Sequence, residues 1–83
     1  MKLTLELPDY DGKWLDVIWE DEAELEVKSA PDEVVLQANR EGLISLAEQL
    51  LYLAHHELPR GSHIHLDAGM PGVSGPGLVL EKK

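Results

Sequence analysis

The chain has 83 residues, sixteen acids against seven bases, a formal net charge of −9 and no cysteine. That length allows one domain, over residues 1–83, which buries only about 60% of its unfolded surface. The missing cysteine excludes disulfides, thiol catalysis and cysteine-ligated zinc. The negative charge disfavours nucleic acid and anionic membranes, both polyanions. Residues 1–20 carry no basic-then-apolar leader, and no apolar run approaches the ~20 residues of a membrane span. A cytoplasmic protein with neither nucleic acid nor membrane as partner is expected. Disorder is not, because 43% of residues are apolar and fall in regular patterns.

In chain order, Lys2–Leu7 alternates Leu3, Leu5 and Leu7 with Lys2, Thr4 and Glu6, which predicts a half-buried strand. Pro8–Gly12 is a turn cluster. Lys13–Trp19 also reads as a strand, although a short helix fits almost as well. Glu22–Lys28 alternates cleanly, with Ala23, Leu25 and Val27 on one side. Ser29–Asp32 supplies turn chemistry, and Glu33–Ala38 is the returning strand of a hairpin. Asn39 is placed to cap a helix running from about Arg40 to Glu57, stopped by Pro59 and Gly61. Leu43, Leu46, Ala47, Leu50, Leu53 and Ala54 form its apolar stripe, broadened by Ile44 and Leu51. Ser62–Leu66 and Leu78–Lys82 are the last strands, joined by the Gly/Pro-rich stretch Gly69–Gly77.

The order ββββαββ predicts an α+β fold, a two-layer domain with a mainly antiparallel sheet packed on one long helix. A helix is ~10 Å wide and strands lie ~4.8 Å apart, so one helix covers two or three strands of six. The wide apolar belt on the helix favours a homodimer to cover the rest, with a strongly curled sheet as the rival.

If Leu3, Leu5, Leu25, Val27, Val34, Leu36, Ile64 and Leu66 face the helix, the pleat fixes the opposite face. That face carries Thr4, Glu6, Glu22, Glu24, Glu26, Glu33, Gln37, His63, His65 and Asp67, with Trp14, Ile18 and Val35 as possible members. Glu20–Glu26 holds five acids in seven residues, and residues 1–33 hold eleven of the sixteen. The plain reading is a solvated face that keeps a small domain soluble. The sharper reading is a docking surface for a basic protein, with Trp14 as an anchor; Trp14 as a core residue is the alternative.

His63-Ile64-His65-Leu66-Asp67 puts His63, His65 and Asp67 on one face of a strand. Two imidazoles at that spacing are candidate metal ligands, with the carboxylate as a third. The structural alternative hydrogen-bonds His63 or His65 to Asp67 or to a neighbouring strand. His55 and His56 suit a helix C-terminus, where cations complement the macrodipole. No catalytic residues are expected. Ser45 is mid-helix, Ser62 and Ser74 show no triad spacing, and the glycines of 69–77 lack the lysine and following helix of a phosphate loop. No cofactor is expected either.

Asn39-Arg40-Glu41-Gly42-Leu43-Ile44-Ser45-Leu46-Ala47 opens the helix. Gly61-Ser62-His63-Ile64-His65-Leu66-Asp67 and a closing Leu78-Val79-Leu80-Glu81-Lys82 follow. Together, in that order, these segments resemble family thirty-two of the small bacterial immunity proteins of polymorphic toxin systems. The resemblance covers roughly the C-terminal half, and Met70–Gly77 departs from the family's final loop. It implies an α+β fold, neutralisation of a co-encoded toxin, and no enzymatic residues to carry over.

The expected function is therefore a non-enzymatic immunity protein whose acidic surface occludes a basic toxin. Trp14, Glu22, Glu24, Glu26, His63, His65 and Asp67 are its expected contacts. The alternatives are a metal- or small-ligand-binding module on His63, His65 and Asp67, and a small non-catalytic housekeeping oligomer.

Overall fold

The strongest alternation in the sequence does pair. In the computed structural model, which describes residues 2, 4–10, 12, 15–55 and 57–83, β1 (Leu25–Ala30) and β2 (Glu33–Ala38) form an antiparallel hairpin. Its turn is only Pro31-Asp32, so Ser29 and Ala30, expected in the turn, belong to β1. β1 also starts later than expected. The Asn39 side chain takes the Glu24 N–H and the Glu22 carbonyl before a ladder can.

The helix α1 (Arg40–Leu53) follows, capped by Asn39, whose Oδ1 accepts the Gly42 N–H at 2.8 Å. It ends four residues before the expected Glu57. Ala54 is the cap, and the chain then tightens through His55 N–H to the Tyr52 carbonyl and Leu58 N–H to the His55 carbonyl. That turn buries Leu58. It also leaves the residue before Pro59 outside the helix, where the proline ring would disfavour helical backbone.

β3 (His63–Leu66), β4 (Val73–Ser74) and β5 (Leu78–Glu81) complete the elements. They do not join one sheet of six. One sheet has the order β2-β1-β4, and a second pairs β3 with β5 antiparallel. β4, expected as loop, runs parallel to β1 with Leu25 opposite Val73 and Glu26 opposite Ser74. Gly72 and Gly75 flank it at φ +79° and +89°, and a Cβ on either would run into a β1-side carbonyl, of Ala23 or Val27. Glycine is needed for that close approach.

The expected strands at Lys2–Leu7 and Lys13–Trp19 are not found among the described residues; Leu3, Lys13 and Trp14 lie outside them. Over 16–20 the reason is visible. The N–H groups of Asp16, Ile18 and Glu20 donate to Tyr52 Oη, Gln49 Oε1 and Ser45 Oγ of α1. The helix, not a neighbouring strand, satisfies alternate donors of this segment.

Both sheets turn inward to one core of Leu25, Val27, Leu46, Leu53, Ile64, Leu66 and Val73. This split resolves the width problem for most of the apolar surface. It does not cover all of it. Val34 and Leu36, expected beneath the helix, are 63% and 42% exposed. Leu36 pairs with buried Val27 and so shares its face, but of the β2 residues only Ala38 packs against the core.

Candidate functional site

The outward face of the three-stranded sheet is mostly polar, with Val35 exposed on it opposite Lys28. Glu26 stands in a row between Gln37 of β2 and Ser74 of β4, its partners in register. Glu24 lies one pleat earlier on the same side of the chain. Together with Asn39 and Gly72 these residues line an open groove of about 410 Å³. Glu22, Glu24 and Glu26 are all exposed.

Asn39 organises one wall. Its Oδ1 accepts the N–H of both Gly42 and Glu24, and its Nδ2 donates to the Glu22 carbonyl and to Glu24 Oε1 at 3.1 Å. A single side chain therefore caps the helix, fixes the backbone ahead of β1 and orients the Glu24 carboxylate. Glu26 has Lys28 Nζ at 3.9 Å, with both side chains half exposed. Such a pair contributes little to stability. Lys28 is the sole base between residues 15 and 39, so the local field is anionic. Further along the acidic run, Glu20 and Asp21 edge a second shallow groove with Ile18 and Trp19. Trp19 is half-buried, and its indole N–H donates to the Pro71 carbonyl.

His63 and His65 are exposed on the other sheet, opposite Glu81 and Val79. Their rings meet edge to face, with centroids 5.1 Å apart. His63 bonds through Nδ1 to the Gly61 carbonyl, not to Asp67 or a neighbouring strand. Asp67 accepts the Gly69 N–H and shapes the turn after β3. Among the described residues no group of three histidine or acidic side chains is arranged to hold a metal ion.

The expected single plate is thus two surfaces. Glu24 and Glu26 come together on one sheet, His63 and His65 on the other, and Trp14 lies outside the described residues. Ser74 was missed because the Gly/Pro-rich stretch reads as loop. The available signal was Val73, an isolated β-branched residue between glycines that the fold buries.

The fold and its surface define a small α+β domain that presents an anionic groove. The family model described as Immunity protein 32 matches residues 33–83, well over half of the chain, and the chain belongs to that family. Its general role is that of an immunity protein, which implies a cognate toxin as partner. The match takes in β2, α1 and β3 to β5, and begins after Glu22, Glu24 and Glu26. No curated protein and no solved structure matches the chain. No helix among the described residues is long and apolar enough to cross a membrane.

Proposed function

We propose that the chain neutralises a co-encoded, basic toxin in the cytoplasm of the producing cell by binding it and occluding its active site, without catalysis of its own. The groove lined by Glu24 and Glu26 is the contact surface. The observation that carries this reading is the exposed acidic row held against the helix cap, where Asn39 fixes one carboxylate in direction. Carboxylates so placed match the lysine and arginine side chains with which a nuclease holds phosphates. His63 and His65 lie on the other sheet and Asp67 follows β3, so they form a second surface, separate from the groove.

The test is co-purification with the product of the neighbouring toxin gene, followed by association kinetics at increasing ionic strength. Steering by opposite charges slows steeply as salt rises. An on-rate that stays flat from low to high salt removes the electrostatic mechanism.

A further inference from the structure

Helix α1 is apolar on two sides. Gly42, Ser45, Leu46, Gln49, Tyr52 and Leu53 face the interior. A second stripe, Leu43, Ala47, Leu50 and Ala54, is exposed, with Leu43 55% and Leu50 52% open to solvent. Its steps of four, three and four residues are the repeat of a helix–helix seam. We propose that this stripe is the interface of a homodimer, in which α1 packs antiparallel on α1 of a second copy about a two-fold axis between residues 48 and 49.

The side chains favour that occupant and that direction. About such an axis Leu43 faces the second copy's Ala54, and Ala47 faces the second copy's Leu50. Each large side chain meets a small one, so the helices approach closely and interlock. A parallel pair would set leucine on leucine and alanine on alanine. Beside Ala54 lies a groove of about 350 Å³ lined by Leu50, Leu53, Val79 and Leu80 together with Glu81 and Lys82, whose apolar part receives the incoming Leu43.

Charge agrees. Arg40 stands at the start of α1 and Glu57 just beyond its end, so antiparallel packing brings opposite charges to the same end. It also sets the helix dipoles in opposition. Helical geometry puts Glu41 and Glu48 on the flank away from the stripe. The charges that border the stripe are mixed, Arg40 at one end and Glu81 with Lys82 in the groove beside Ala54, so it lacks the acidic surplus that would suit a cationic toxin. The inference stands independently of the toxin reading.

Sedimentation of the full chain at high micromolar concentration is expected to give twice the 9.2 kDa of one chain, and Leu50→Glu to reduce it to 9.2 kDa with the circular dichroism spectrum unchanged. Direction is read by cross-linking, which the cysteine-free sequence permits. Leu43→Cys mixed with Ala54→Cys should form a disulfide-linked pair under mild oxidation. Leu43→Cys alone should not, because the two copies of residue 43 lie about 16 Å apart along the axis, beyond the ~7 Å reach of a disulfide. A monomeric chain, a dimer indifferent to Leu50→Glu, or efficient cross-linking of Leu43→Cys with itself overturns the proposal. So does a monomer whose Leu50→Glu variant loses toxin binding, which would assign the stripe to the toxin.

Discussion

The backbone N–H of Ile18 donates to Oε1 of Gln49 at 2.7 Å, and the Nε2 group of the same side chain donates to the Asp16 carbonyl at 3.4 Å. Gln49 is 1% exposed, so helix α1 spends a buried polar side chain on holding an irregular segment 31 residues away. Ser45 and Tyr52 continue the ladder one helical turn to either side. Gln49→Leu keeps the volume but leaves the Ile18 donor and the Asp16 acceptor unpaired. A loss of about 1–3 kcal/mol is expected, read from the urea midpoint. Unchanged stability would show that water replaces both bonds.

Gly42 offers a prediction whose sign opposes helix propensity. Glycine to alanine inside an exposed helix normally stabilises by about 1 kcal/mol. Here a Cβ would run into the Glu24 carbonyl and stand 3.1 Å from both Ala38 Cβ and Asn39 Oδ1. The helix start would have to move away from the hairpin. Gly42→Ala is therefore expected to lower the melting temperature, by a net cost of about 1–3 kcal/mol. A higher melting temperature would show that the helix and sheet can part without loss.

The elements legible in the sequence are those whose pattern and partner lie close together in the chain. The β1–β2 hairpin needs a two-residue turn, and α1 needs Asn39 and a run of apolar residues; both are local. What the pattern could not supply was which donors a segment would satisfy. Lys13–Trp19 reads as a strand or, almost as well, a short helix, yet the N–H groups of Asp16, Ile18 and Glu20 go to Tyr52, Gln49 and Ser45, residues that in a helix read as tolerated polar positions. β4 is two residues long, too short for any period, and exists because Gly72 and Gly75 let it lie against β1. Exposure of Glu22, Glu24, Glu26, His63, His65 and Asp67 was legible from alternation alone, whereas the division of the sheet in two was not.

Asn39 joins three roles in one side chain, and a substitution series separates them. Asn39→Ala removes the cap, the Glu24 N–H acceptor and the Glu24 carboxylate donor, at an expected cost of about 1–2 kcal/mol. Asn39→Asp keeps an oxygen for Gly42 and Glu24 N–H but loses the two Nδ2 bonds and sets a carboxylate beside Glu24. Its expected stability lies between wild type and Asn39→Ala. Helical circular dichroism through a denaturant titration reads both. Equal losses would mean that the Nδ2 bonds matter as much as the cap.

Glu24 and Glu26 separate binding from folding. Both are exposed, and the 3.9 Å contact of Glu26 with Lys28 is too open to hold the hairpin together. Glu24→Gln with Glu26→Gln should shift stability by no more than about 0.5 kcal/mol per site. Association with the toxin should slow by on the order of tenfold at low salt, with a shallower dependence on ionic strength. His65→Ala with Glu81→Gln supplies the comparison on the other sheet, where the two residues project from the same outward face. If the second pair slows association and the first does not, the toxin meets the β3–β5 surface, and the groove beside Asn39 is a solvated face that keeps the domain soluble.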